Sequence, residues 1–380
     1  MASTGDHVLC AAGIALFARA ELPAPEKMRP LGSLSNFVVD ELPSLLEEIR
    51  RGEIHAAQLS GGADISCLPP TQDLPEDERP LACLDLMLLQ QACDHVGATF
   101  PAYLRGPAAE ICRSLGRIET LLYEDSVLAN PLTRDPRVFT RGDAGRIERD
   151  FLLAHTLIES CLQDVNRRVR EILSRVEEHR YHGSDAVGQA VHEHCSSILA
   201  GMQQVRDLFL SMRRMRRDEF QSFRGYYMPS PRTCHPGPSG RFSAKFFLLR
   251  VLVEGSAIRH QIPTFYREIL DLFDYFPRGE REVLSSFILP EYLAGNRLSV
   301  GSRRVLETFG ARRGDRVPSL RDASLEPWAR STGLPDLTAA LREDLDACTA
   351  IHLGLVHKNI TDQREGGRAS SAGSVMSHEP

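Results

Sequence analysis

Apolar residues recur at steps of three and four over two long stretches in the middle of the chain, and this spacing is typical of amphipathic helices. The first stretch covers residues 147–176, which predicts one helix of roughly 30 residues or more, against an average of about 12. The second covers residues 187–215. Only a short polar turn, residues 182–184, separates the two stretches, so we predict an antiparallel hairpin of long helices.

Shorter helical patterns flank this hairpin on both sides. They occur at residues 39–51, 81–95, 107–126, 242–259, 264–275 and 336–358. Neither an alternating strand pattern nor an internal repeat is visible, so we predict an all-α fold. We divide the chain into an irregular, proline-rich helical N-terminal region (1–135), a large helical domain (136–364) and a mobile Gly/Ser-rich C-terminal segment (365–380).

Composition and charge exclude several classes of protein. The net charge of −6 argues against a nucleic-acid-binding protein that depends on bulk positive charge. Nine cysteines without a CxxC pair indicate reduced thiols in a cytoplasmic protein rather than a disulfide framework. No run of about 18 apolar residues occurs, and no basic residues precede the N-terminal apolar run, so we expect neither a membrane span nor a signal peptide. The sequence does not distinguish a monomer from a homo-oligomer.

One histidine stands on an apolar stripe near the C-terminus. Leu341, Leu345, Cys348, His352 and Leu355 follow one another at steps of four and three, which places them on one face of a predicted helix. A buried neutral imidazole needs partners for its ring nitrogens. A metal ion meets that need, and so does a backbone carbonyl in an ordinary core. The spacing therefore makes His352 either a metal ligand or a core histidine.

Three other side chains compete with His352 as ligands. His155 stands on the apolar stripe of the first long helix, where it is an alternative buried ligand, a distal polar group or a core histidine. His357 lies five residues after His352, about 140° further round the helix and away from the stripe. Cys348 shares the stripe, and we interpret it as a small core residue.

A segment between two of the predicted helices combines aromatic rings, a guanidinium, a flexible turn and hydroxyls. It reads FQSFRGYYMP at residues 220–229 and PSGRFSAKF at residues 238–246. Such a mixture suits a pocket for a flat aromatic ligand with a polar end. A structured loop whose rings pack into the core would have the same composition. The segment is thus a candidate ligand pocket.

Taken together, these segments resemble the haem-dependent aromatic oxygenases. That superfamily includes tryptophan and indoleamine dioxygenases, the pyrrolnitrin-pathway haem enzyme and haem-dependent tyrosine hydroxylases. Residues 220–246 resemble the tryptophan dioxygenase run FxxFRxYxxPxSGFQSxQF, and the His352-Leu353 pair resembles the segment with the proximal haem histidine. Residues 366–373 are similar to the Gly/Ser loop that covers the substrate. Leu122, Asn130-Pro131 and Phe139-Thr140-Arg141-Gly142 resemble a stretch of the pyrrolnitrin-pathway enzyme.

This resemblance implies a fold like that of indoleamine dioxygenase, with haem b in the 136–364 domain and His352 as the iron ligand. It implies dioxygen or hydrogen peroxide as co-substrate and a small aromatic substrate, most simply an indole such as tryptophan, in specialised biosynthesis. The 365–380 segment would then be a substrate lid. By the same resemblance Phe246 contacts the cofactor, the catalytic groups are Tyr226, Ser239 and Ser243, and the substrate-binding groups are Arg224, Gly240, Arg250, Gly367, Ser370 and Ser371.

One position departs from the tryptophan dioxygenase pattern. Where those enzymes carry an arginine that clamps the substrate carboxylate, this chain has Phe247, and Arg224 and Arg250 are the substitutes that the sequence offers. The distal histidine of the family has no recognisable counterpart. Three alternatives therefore stay open: a peroxide-using haem tyrosine hydroxylase, a non-catalytic haem carrier or sensor, and a helical interaction protein without a cofactor.

Overall fold

The computed structural model describes residues 28–60, 68–182, 186–228, 238, 240, 243–254, 272–276, 278–285 and 339–351. These residues are mostly helical and include no strand, which confirms the all-α prediction. The main helices are α1 (Leu42–Arg51), α2 (Arg79–Val96), α3 (Ala102–Ser114), α4 (Gly142–His182), α5 (Ala186–Arg213), α6 (Arg217–Arg224), α7 (Ala244–Glu254), α8 (Arg278–Ser285) and α9 (339–351).

Short helical turns join several of these helices. A four-residue helix, Ser33–Asn36, continues through a π-helical turn, Phe37–Glu41, into α1. Further turns lie at Ala56–Ser60, Thr71–Asp73, Asp125–Ala129, Gly225–Tyr227 and Phe273–Tyr275. None of the helices within the described ranges is long and apolar enough to cross a lipid bilayer.

The helices α4 and α5 form the predicted long hairpin. Cys161 on α4 contacts Gln204 on α5, with 3.6 Å between Sγ and Oε1, and Glu171 lies 3.6 Å from the His194 ring nitrogen. Contact positions therefore rise along α4 while they fall along α5, so the two helices are antiparallel. Gly201 lies so close to α4 that a side chain there would collide with it. The turn between the helices falls outside the described residues.

The first helices of the chain pack around α2. Leucines and methionine on all sides of this helix are enclosed, which is the pattern of a helix inside a core rather than on a surface. Gly97, at a φ of 73°, ends α2 in a left-handed conformation that favours glycine. Together with α4, α5 and α7, these helices share one continuous hydrophobic core.

The third helix is shifted from its predicted position. The sequence predicts a helix over residues 107–126, but α3 spans Ala102–Ser114, with Pro107 inside it. Pro107 cannot donate to the carbonyl of Tyr103, and this residue is 52% exposed, so water can satisfy that carbonyl. Gly116, at a φ of 65°, follows the end of the helix. Tertiary packing has overridden the preference of proline for a first helical turn.

A buried ion pair ties the start of the described chain to α2. Asp85 and Arg137 are both 0% exposed, and Nε of Arg137 donates to a carboxylate oxygen of Asp85 at 2.9 Å. Ser35 donates to the other carboxylate oxygen at 2.6 Å. The guanidinium also donates to the backbone carbonyls of Asp135 and Met28. Both charges are therefore compensated and hydrogen-bonded, as burial requires.

Candidate functional site

Helix α9 carries the apolar stripe that leads to His352. Leu341, Leu345 and Cys348 are each at most 1% exposed, so the predicted burial of the stripe is confirmed as far as the helix is described. His352 itself lies outside the described residues. The same holds for four other predicted site residues, Ser239, Gly367, Ser370 and Ser371.

Two ion pairs fix α9 against neighbouring helices. Arg206 on α5 donates to Asp344 at 3.1 Å, and Arg250 on α7 donates to Asp346 at 2.6 Å. The stripe of α9 is therefore held between α5 and α7. Arg250, predicted to bind substrate, is engaged with a carboxylate of the protein itself.

Three of the predicted residues gather where α7 begins. Ser243 is 1% exposed, and its Oγ accepts the backbone N–H of Phe246 at 3.1 Å, which caps the helix. Its own N–H donates to the carbonyl of Gly240 at 3.3 Å. Phe246 is half-buried at the edge of the core. The structure thus brings Gly240, Ser243 and Phe246 together.

The position of the missing arginine points into the core. Phe247 is 1% exposed, and its ring lies 5.3 Å from the ring of Phe276. An arginine there would bury a charge against aromatic rings, at a cost of several kcal/mol or roughly the stability of a marginal domain. A carboxylate clamp at this position is incompatible with the packing.

Tyr226 and Arg224 lie near the start of α4, beside the end of α6. The ring of Tyr226 lies 4.2 Å from His95 and stacks on Phe139 at 4.9 Å. Arg224 donates to the carbonyl of Tyr227 at 3.2 Å, and burial lowers the pKa of its guanidinium. Among the described residues no carboxylate pairs with Arg224. It is therefore a half-buried cation that can accept an anion.

Contacts with helix α4 show how far the residues around Tyr226 lie from those around Ser243. The hydroxyl of Tyr227 donates to Glu148 at 2.7 Å, and Lys245 donates to Glu159 at 3.2 Å. Glu148 and Glu159 are 11 positions apart on one helix, which is about 16 Å along its axis. Tyr226 and Ser243 therefore belong to two groups at separate levels of α4 rather than to one cluster.

A small surface pocket lies beside Tyr226. Its volume is about 80 Å³, far below the roughly 300 Å³ at which drug-sized ligand pockets begin. Its walls carry both acidic and basic side chains. The lining residues are Pro43, Glu47, Arg50, Phe139, Thr140, Arg141, Ala144, Ser222 and Tyr226. This depression is too small to enclose an indole.

Ionisable side chains from three segments converge at the start of α7. Glu159 on α4 is 1% exposed, and it takes hydrogen bonds from Lys245, Ser243 and Tyr123 that lower its pKa, although burial raises the pKa more. Glu124, also buried, accepts a hydrogen bond from its own backbone N–H and a long contact of 3.5 Å from the first N–H of α7. We name Tyr123, Glu124, Glu159, Ser243 and Lys245 the acidic cluster.

Burial dominates the electrostatics of the acidic cluster. It raises the pKa of Glu124 well above the ordinary range, and the nearby Glu159 charge raises it further. Burial also raises the pKa of Tyr123 well above its usual value. Burial therefore favours the uncharged form of both groups, and Lys245 with Glu159 forms the central ion pair.

The sequence carries a signal for this cluster, namely charged residues within apolar stretches. Glu159 stands one turn after His155 on the apolar stripe of α4, and Lys245 stands within an apolar run. A charged residue on an apolar stripe needs a partner. The sequence could not pair Glu159 with Lys245, because the two residues lie 86 positions apart. The packing of α4 against α7 brings them together.

His155 is a core histidine. Its Nδ1 lies 3.0 Å from the carbonyl of Phe151, and burial lowers its pKa to about 4, so the ring is neutral. The rings of Phe151, Tyr123 and Phe209 lie 4.5, 5.7 and 6.4 Å away. This packing leaves no room for a porphyrin on His155.

Comparisons with known proteins add no assignment. The chain matches no protein-family model and no curated protein. Within the described ranges, no three His, Cys, Asp or Glu side chains are arranged to hold a metal ion. Haem iron takes as few as one axial protein ligand, and such a site would not have this form.

Proposed function

We propose that the protein is a haem-dependent oxygenase that acts on an aromatic amino acid or a derivative of one, most simply an indole. The observation that carries this proposal is the buried stripe of α9. Leu341, Leu345 and Cys348 point into the core, and His352 follows one turn after Cys348. The helical spacing of the sequence predicts that His352 continues this stripe, and an imidazole in an apolar interior is a suitable partner for a haem iron.

We place the proposed haem beside α9. His352 would hold the iron through one ring nitrogen, and Phe246, half-buried at the start of α7, would contact the porphyrin. When bound, haem supplies the chemistry that activates dioxygen or hydrogen peroxide. His155 is excluded as the ligand by the rings packed around it.

Loss of His352 tests the proposal. The variant His352→Ala should keep its helical circular dichroism spectrum but bind haem at least about 100-fold more weakly, since even loss of an outer-shell partner of a metal ligand costs about 10–100-fold. Haem content and the Soret band of the protein expressed with a haem precursor measure this. His357→Ala is the matched control and should keep its haem. An unchanged Soret band in His352→Ala contradicts the proposal.

The position of Arg224 gives a test of where the substrate binds. Arg224 lies with Tyr226, about 16 Å along α4 from Ser243, so an amino acid bound at Ser243 cannot reach it. Replacing Arg224 with methionine should therefore leave the binding of tryptophan and of indole nearly unchanged. Substrate-induced shifts of the haem spectrum measure both.

Arg250→Met is the matched control for this experiment. It breaks the pair with Asp346 and should lower stability slightly, because Asp346 is largely exposed, while the preference for tryptophan over indole stays. A loss of that preference in Arg224→Met would contradict a substrate site at Ser243. The same titration with tyrosine separates an indole substrate from the phenolic substrate of a hydroxylase.

A further inference from the structure

The acidic cluster contains two buried carboxyl groups and one ammonium group. We propose that Glu124 carries a proton at neutral pH and serves as a buried proton donor beside the substrate pocket expected at Ser243. The donor role rests on the proposed oxygenase function. The protonation itself rests only on the described structure.

Contacts within the cluster assign the single cation to Glu159. The Lys245 ammonium lies 3.2 Å from Glu159 Oε2, and both side chains are buried. Glu124 Oε2 is completely enclosed and has no hydrogen-bond partner among the described residues. Besides a hydrogen bond with its own backbone, the carboxyl has one contact, of 3.5 Å, with the N–H of Ala244. A buried carboxylate with so few donors would be costly, and a neutral carboxyl avoids that cost.

Among the described residues, the groups on the other packed elements do not supply a second cation for Glu124. Asp125, the next residue along the chain, forms its own buried pair with Arg117. Tyr275 faces Glu124 from the turn after α7, and burial raises the pKa of its hydroxyl well above the usual value, so it stays neutral. Asn166 on α4 donates to the carbonyl of Lys245 at 2.9 Å and carries no charge. Apart from Lys245 and the paired Arg117, the described surroundings of Glu124 are therefore acidic or neutral.

A neutral carboxyl at this place can act as a general acid. The O–H of Glu124 would pass its proton to a basic oxygen or nitrogen atom of the bound ligand, and the carboxylate left behind would be stabilised by the nearby ammonium of Lys245. Glu124 would regain a proton from water that enters when the ligand leaves. A carboxylic acid kept neutral by a dry environment has this use in other enzymes.

Infrared spectroscopy tests the protonation without any cofactor. At neutral pH the spectrum of the full-length wild-type protein minus that of Glu124→Gln should contain the C=O band of one protonated carboxyl, separate from any contribution of Glu148, whose pKa is about 7. Glu119→Gln, an exposed change in the same segment, is the matched control, and its difference spectrum should contain no such band. Absence of the band from the Glu124→Gln difference spectrum overturns the inference.

Thermal unfolding of two glutamine variants gives an independent readout. Glu124→Gln replaces a neutral group with a neutral group, so its melting temperature at pH 7 should stay within about 2 °C of the wild type. Glu159→Gln removes the charge that Lys245 faces and should lower the melting temperature by more than about 4 °C. Equal losses in the two variants contradict the assignment of the proton to Glu124.

Turnover tests the donor role separately. In the haem-loaded protein, Glu124→Gln should keep the substrate-induced spectral shift but slow product formation about 100-fold or more, the contribution typical of a general acid. Glu124→Asp, which keeps an acid, should recover part of the rate. Unchanged turnover in Glu124→Gln overturns the donor role. Failure to bind haem contradicts the proposed function instead. The infrared result on the protonation of Glu124 does not depend on haem binding.

Discussion

Replacing Arg137 with methionine is expected to lower the free energy of unfolding by about 3–5 kcal/mol. The substitution leaves Asp85 buried at 0% exposure with only the hydroxyl of Ser35 as a donor. It also leaves the carbonyls of Met28 and Asp135 without the guanidinium that donates to them. Urea unfolding followed by circular dichroism measures the loss. A variant as stable as the wild type would show that this pair does not hold the N-terminal segment.

Two controls separate the charge from the packing. Arg29→Met breaks partly exposed pairs with Asp40 and Asp135, so it should cost only about 1 kcal/mol or less. The double variant Asp85→Leu/Arg137→Met removes both buried charges and should recover part of the loss. Burial raises the pKa of Asp85 even beside Arg137. In Arg137→Met this carboxyl should therefore take up a proton, and the loss should be larger at pH 8 than at pH 5.

Replacing Glu148 with alanine is expected to cost at least about 3 kcal/mol, because each buried donor left without an acceptor costs about 1–3 kcal/mol. Its carboxylate accepts the backbone N–H groups of Phe139 and Thr140 at 2.8 and 2.9 Å and the hydroxyl of Tyr227 at 2.7 Å. These bonds connect the loop before α4 to the end of α6. Chemical denaturation measures the effect.

A graded series checks this role of Glu148. Tyr227→Phe removes one of its donors and should cost about 1 kcal/mol. Glu171→Ala, a partly exposed change on the same helix, should stay within about 0.5 kcal/mol of the wild type. If Glu148→Ala costs no more than Glu171→Ala, the carboxylate does not hold the loop.

The cost of Glu148→Ala should also depend on pH. Burial raises the pKa of Glu148 from 4.5 to about 7, so the folded protein holds this proton more tightly than the unfolded chain. The stabilisation from protonation is complete below about 4.5 and is lost as the pH rises through 7. The difference between wild type and Glu148→Ala should therefore be larger at pH 5 than at pH 8. The opposite trend would contradict the raised pKa.

Residues 130–142, the stretch in which we see a resemblance to the pyrrolnitrin-pathway enzyme, have a structural role in this fold. The amide of Asn130 forms two hydrogen bonds with the backbone of Arg137, at 2.8 and 2.9 Å, and closes the loop that holds the buried ion pair. Phe139 and Thr140 donate to Glu148. These positions build the fold, so the resemblance at this point bears on architecture rather than on chemistry.

The sequence by itself determined which face of each long helix is buried. The spacing along the long helices predicted the α4–α5 hairpin, the burial of Leu345 and Cys348 and the need of His155 for a partner, because helical periodicity depends only on neighbours within two turns. It did not locate α3, since the N-terminal segment is proline-rich and its boundaries depend on packing.

Only the tertiary structure decided which side chains share a site. It joined Glu124, Glu159 and Lys245 from three distant segments, committed Arg250 to Asp346 and separated the region of Tyr226 from that of Ser243. The physical reason is that partners for buried charges are chosen by how helices pack. The periodicity of a single helix carries no information about the residue that lies opposite.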